Sequence, residues 1–131
     1  MVEIERFLDG YWIWLSSQEE ADYKITGKYL FFDPDKEKLV EVAEKEIREH
    51  GFHEAKVNDR LLEGRTEYVL CLYFKDDSRK HELAERNKQD YGVKYRYWKS
   101  DEATLKGQYS NDFLESLSES HRQHFTKKKE L

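Results

Sequence analysis

The chain has 131 residues, 39% of them charged and 15% aromatic, and a net charge of −5 at pH 7. That length suits one domain with its own core, and a single cysteine, Cys71, excludes both an internal disulfide and a cysteine-built zinc site. The aromatic share argues against a disordered chain, and the negative net charge against indiscriminate attraction to duplex nucleic acid, so any anion site has to be local.

The N-terminus opens on acidic residues rather than an apolar leader, and no run approaches the roughly 20 apolar residues of a membrane span. A soluble cytoplasmic protein without membrane contact is the expectation.

Tyr11-Trp-Ile-Trp-Leu15 and Lys28-Tyr-Leu-Phe-Phe32 predict two strands, with Thr26-Gly27 as a turn signal between them. Alternation puts Trp12 and Trp14 on one face of the first. In the second it separates Tyr29 and Phe31 from Lys28, Leu30 and Phe32. Asp33 is a plausible N-cap with Pro34 at the first helical position, and Leu39, Val40, Ala43 and Ile47 recur at helical spacing until Gly51 supplies a stop. A short strand over 52–57 follows, in which Lys56 shares a face with Glu54. A polar loop over 58–65 comes next, with Gly64 as its turn residue. Tyr68-Val-Leu-Cys-Leu-Tyr-Phe74 is apolar on both faces and predicts the buried central strand.

A second helix is expected from Asp77 or Ser78 to Tyr91, capped by Asp77 and ended by Gly92. Its apolar stripe is thin, Leu83, Ala84 and Tyr91, which places it on the surface. A strand over 93–99 then alternates Lys94, Arg96 and Trp98 with Tyr95, Tyr97 and Lys99. A return segment near 105–109 and a last helix opened by Ser110, with Phe113, Leu114 and Leu117 on one face, lead to the basic run Lys127-Lys-Lys129. These elements describe a single domain over 1–131, with a core over about 10–124 and a basic tail over 125–131. The fold class is α+β: a curved, mainly antiparallel sheet backed by two or three helices on one face.

The segment from Tyr95 to Tyr109 sets Tyr95, Tyr97, Trp98 and Tyr109 beside Arg96, Lys99 and Lys106. Phosphorylated or π-rich ligands need that pairing of flat apolar surface with fixed positive charge. The same residues also have an ordinary structural account, since aromatics form strands and lysines protect sheet edges. Cys71 in mid-strand reads as a small buried hydrophobe. Asp33 with Asp35, and Asp76 with Asp77, read as helix-start partners, and His50 and His53 as helix-end residues. His121 and His124 stand at i and i+3 but lack a third ligand, and no nucleophile elbow or glycine-rich phosphate loop occurs. Neither a metal nor a cofactor is expected.

Gly27-Lys-Tyr-Leu-Phe-Phe, the amphipathic helix, Ala55-Lys-Val57, Val69-Leu-Cys-Leu-Tyr73 and Tyr97-Trp-Lys-Ser-Asp-Glu-Ala-Thr-Leu-Lys-Gly-Gln-Tyr-Ser-Asn111 follow one another in order. Over about residues 10 to 113 this series resembles the basophilic leukemia-expressed protein family. That family is similar in fold to the cap-binding translation initiation factors, whose concave sheet face can take a nucleotide. The resemblance implies an anchor role for Lys28, Lys56 and Lys99, with Asp101, Thr104, Gly107 and Tyr109 shaping the turn that carries Lys99. Ser100 stands where that pattern has proline.

The expected function is therefore binding of a phosphorylated small molecule or phosphopeptide, with nucleotides among the candidates, by Lys28, Lys56, Arg96, Trp98, Lys99, Asp101, Thr104 and Tyr109. Arg65 is a further source of phosphate contacts. One alternative is a carbon–oxygen lyase acting on phosphothreonine, in which Lys28, Lys56 or Lys99 is the base, although this chain has no Lys-x-His pattern to supply the acid. The other is a non-catalytic domain that binds a protein partner.

Overall fold

The computed structural model describes residues 2–102. In chain order these form β1 (Ile4–Asp9), β2 (Trp12–Ser17), β3 (Gly27–Asp33), α1 (Lys36–Glu49), β4 (Glu54–Asn58), β5 (Tyr68–Phe74), α2 (Lys80–Tyr91) and β6 (Lys94–Ser100). The strands make one sheet in the order β1-β2-β4-β5-β3-β6, antiparallel at every pairing. The α+β class with an antiparallel sheet is the one the sequence predicts. The return segment near 105–109, the helix opened by Ser110 and the basic tail lie outside the described residues.

β5, apolar on both faces, lies inside the sheet between β4 and β3, and Val69, Leu70, Cys71 and Leu72 are all buried. Period-two alternation sorts the rest. Ile13, Leu15, Tyr29, Phe31, Ala55, Val57, Leu70, Leu72 and Phe74 share one cluster with Leu39, Val40, Val42, Ala43 and Ile47 of α1 and Leu83 of α2. Both helices therefore back the same face, and full burial of each large side chain there contributes about 1.5–3 kcal/mol. The opposite face carries only a small cluster, Leu30, Phe32, Val69 and Cys71.

Details of capping differ from expectation. Asp35, not Asp33, caps α1, accepting from the backbone N–H groups of Glu37 (3.0 Å) and Lys38 (3.4 Å), while Asp33 accepts from the Asp35 amide at 2.8 Å. Two aspartates flanking Pro34 divide the turn and the cap between them. α2 begins at Lys80 rather than Asp77, because the Asp76 carboxylate closes a turn on the Ser78 amide (3.1 Å) and the Arg79 carbonyl accepts the first intrahelical bond, from Leu83. Gly92 ends α2 in the left-handed conformation, φ 71°, which glycine adopts without strain.

Two departures reshape the sheet. β1 is an additional edge strand, joined to β2 by a two-residue turn in which Gly10 has φ 58° and takes the first central position. In β6 the register with β3 shifts between Leu30 and Phe31, whose partners are Tyr97 and Tyr95, leaving Arg96 as an extra residue. The expected alternation of Lys94, Arg96 and Trp98 against Tyr95, Tyr97 and Lys99 is thereby broken. Tyr95 and Trp98 both pack on Tyr29 on the helix side, whereas Arg96 and Tyr97 both lie against Phe32 on the other.

Candidate functional site

The sheet face opposite α1 and α2 is organised by register. One row runs Trp14, Lys56, Cys71, Leu30, Tyr97 straight across β2, β4, β5, β3 and β6; the next sets Tyr73, Lys28 and Lys99 side by side. Lys28 and Lys99 are direct cross-strand partners, a like-charge juxtaposition that costs the fold stability. Three lysines from three strands thus surround Cys71, and their positive charge acts on its thiol. Burial is the larger influence on that thiol and pushes it above its ordinary value.

These residues enclose a cavity of about 230 Å³. Leu30, Phe32, Val69 and Cys71 form its floor, Tyr11, Trp12 and Tyr97 supply ring walls, and Lys28, Lys56, Lys99 and Arg65 stand around it with Leu62. No aspartate, glutamate or histidine lines it among the described residues. Lys56 stands against two tryptophan rings. Its Nζ lies 4.1 Å from the Trp12 ring centroid and 5.1 Å from that of Trp14, and burial, reinforced by Lys28, holds its ammonium below the ordinary lysine range. Lys28 Nζ rests 5.7 Å from the Tyr73 ring. Among the described residues, Lys28, Lys56 and Arg65 form no ion pair.

The close approach of β6 to β3 beside the lysine pair depends on Gly27. A Cβ there would meet Trp98 Cζ2 at 2.5 Å, the Lys99 carbonyl oxygen at 2.7 Å and Ser100 Cα at 2.9 Å. Asp101 continues this junction, its amide donating to the Thr26 carbonyl at 2.7 Å.

The predicted residues divide accordingly. Lys28, Lys56 and Lys99 come together at the cavity. Arg96 lies over Phe32, 4.6 Å from its centroid, is paired with Glu67 at 2.5 Å, and does not line the cavity. Trp98 is on the wrong face for a ligand there, 4.9 Å from Tyr29 among the helix-side residues, because the bulge at Arg96 inverts its parity. Asp101 holds the strand end rather than the cavity wall. Thr104 and Tyr109 lie outside the described residues.

Sequence reasoning picked out Tyr97 among the rings beside cations but missed Tyr11, Trp12 and Leu62 as walls, and Asn58 as support. Buried Asn58 donates to the Tyr11 hydroxyl (3.3 Å) and the Arg60 carbonyl (3.0 Å) and accepts from the Val69 amide (2.7 Å), pinning the loop that carries Leu62 and Arg65. For Trp12 the signal was present, since it shares strand parity with Trp14. For Asn58 there was none, because its partners are up to 47 residues away.

His53 Nδ1 donates to the Glu19 carbonyl, 3.2 Å away, and does not line the lysines' cavity; His50 is the C-cap of α1. No group of three His, Cys, Asp or Glu side chains suited to a metal ion occurs among the described residues, and no helix among them is long and apolar enough to cross a membrane. No protein-family model, curated protein or solved structure matches the chain.

Proposed function

We propose that the protein binds a phosphorylated ligand, with nucleotides among the candidates, on the sheet face opposite α1 and α2. The observation that carries this reading is the convergence of Lys28, Lys56, Lys99 and Arg65 on one ring-walled cavity with no carboxylate in its lining among the described residues. Clustered cations repel one another, and a phosphate monoester dianion between them relieves that repulsion while gaining charge-assisted hydrogen bonds. Trp12 and Tyr97 offer flat faces for a ring attached to the phosphate. The resemblance to the basophilic leukemia-expressed protein family belongs to the same proposal.

A thermal-shift comparison of the wild type and Lys56→Ala against nucleotides and phosphothreonine peptides tests it. A ligand at 100 times its dissociation constant stabilises the wild type by about 2.7 kcal/mol, several degrees for a domain of this size. The reading fails if no phosphorylated compound shifts the wild type, or if Lys56→Ala responds equally.

One observation favours the lyase as a second reading. The Lys56 amine is held below its usual range by burial, as a general base requires. The proton donor to the departing phosphate would then be a phenol, Tyr11 or Tyr97, the cavity lining offering no imidazole or carboxylic acid among the described residues. Absence of a dehydrated product after prolonged incubation with a phosphothreonine peptide rules this out without touching the binding reading.

A further inference from the structure

The cavity is smaller than the ligand face around it. At about 230 Å³ it falls below the roughly 300 Å³ at which sites begin to enclose a whole drug-sized ligand, so it takes a phosphate and part of one ring. Outside it, on the same face, rings continue across the sheet. Phe7 of β1 stacks on Trp14 at 6.5 Å between centroids, and Trp14 on Tyr73 at 6.2 Å, each pair within 14° of parallel. Phe7 at the sheet edge is 50% exposed, which a ring serving only the core would not be. Cations alternate with these rings, Lys56 between Trp12 and Trp14 and Lys28 at Tyr73.

From β1 to β6 the face crosses five inter-strand steps, about 24 Å at roughly 4.8 Å each. Stacked nucleotides advance by about 3.4 Å along a strand, so this length accommodates several. Resting on the phosphate-site reading above, we propose that the ligand is a single-stranded oligonucleotide. One of its phosphates sits among Lys28, Lys56 and Lys99, and its bases run along the Tyr73, Trp14 and Phe7 rings toward the β1 edge. Unpaired bases present π-faces that such rings bind without reading sequence, whereas a duplex keeps its bases stacked inside. A phosphopeptide would fill the cavity and leave the ring ladder without a role.

Fluorescence anisotropy with the full chain and fluorescein-labelled oligouridylates and oligothymidylates of one, two, four and eight nucleotides tests the proposal. Affinity rises at least tenfold from one to four nucleotides and then levels. With three or four cations engaged, log K falls against log salt concentration with a slope of about −2 to −3. Phe7→Ala weakens the four-nucleotide ligand about tenfold, and by more than it weakens the mononucleotide. Should that variant melt early, Phe7→Leu removes the ring while keeping apolar volume and reads the same ratio. Equal affinity for one and eight nucleotides overturns the oligonucleotide and leaves the phosphate site standing; so does binding of a phosphothreonine peptide without binding of any nucleotide. Failure of every phosphorylated probe overturns both.

Discussion

The seam between the two helices and the lysine cavity treat positive charge in opposite ways. Where α1 meets α2, each cation is matched. Arg86 reaches the fully buried Glu46 at 2.5 Å and Glu82 at 2.9 Å, Arg79 reaches Glu82 at 2.8 Å, and Lys45 pairs with Asp90. Arg79, and then Arg86, hold the Glu82 carboxyl down at about 2. On the open face, Lys28 and Lys56 rest on rings instead, and Lys56 bears the cost of losing water without a counter-ion among the described residues. A ring face offsets only about 0.5–2 kcal/mol of such a cost. The difference separates charge that the fold consumes from charge left over for something else.

The sharpest way to break this comparison is on the matched side. Arg86→Leu strands the Glu46 carboxylate in the core and is expected to cost about 3–5 kcal/mol in urea unfolding. Stability equal to wild type would mean the helix-side network is ornamental and the contrast empty. Gly27→Ala comes next, at about 1–3 kcal/mol. Its new methyl meets the backbone of Lys99 and Ser100, which cannot swing aside as a side chain does. Because Lys28 follows directly, the same substitution is expected to loosen the Lys28–Lys99 pairing and weaken phosphate binding, measured as a smaller ligand-induced thermal shift.

On the open face the sign reverses. Lys56→Met is expected to leave stability unchanged or raise it by up to about 1 kcal/mol while abolishing ligand response, since it removes a desolvated cation that no carboxylate neutralises. Its pH dependence follows from the lowered folded-state value. The unfolded chain binds the proton more tightly, so the penalty from Lys56 is full below the folded value and fades as pH climbs toward 10.5. The advantage of Lys56→Met over wild type therefore shrinks across that window in parallel urea titrations. Subtracting the variant removes a competing trend, because Tyr23 and Tyr29, raised to about 12 chiefly by burial, lose their contribution as pH passes 10 in both proteins. The smallest effect is Arg48→Ala. It breaks an exposed i, i+4 pair with Glu44 at 3.3 Å and is worth about 0.3–0.5 kcal/mol.

The legibility of the chain tracks how local each signal is. β3, α1 and β5 are readable because their apolar patterns repeat within a few residues and their stops, Gly51 among them, sit beside them. β1 is not. Ile-Glu-Arg-Phe-Leu-Asp carries no alternation, since an edge strand with five exposed residues has little to alternate about, although the Asp9-Gly10 pair does mark its turn. The lysines of the candidate site can be picked out from the order of the motifs around them, and Trp12 follows from strand parity. Arg65 and Leu62 take their places from Asn58, whose hydrogen bonds join segments far apart in the chain. Trp98 is misassigned because nothing in Lys94-Tyr-Arg-Tyr-Trp-Lys-Ser100 announces a bulge; no glycine or proline stands in it.

That bulge makes the candidate site depend on strand register as well as on composition. Bulging out Arg96 lets Tyr97 and Lys99 look toward Cys71 while Trp98 looks toward Tyr29. Pairing Arg96 in plain register, with the bulge ironed out, would turn the four residues from Tyr97 to Ser100 over together, whereas deleting Arg96 would leave their pairing with Gly27–Leu30 as it is. In that unbulged register a tryptophan would be carried onto the open face and a lysine under the helices, with the amino-acid sequence unchanged.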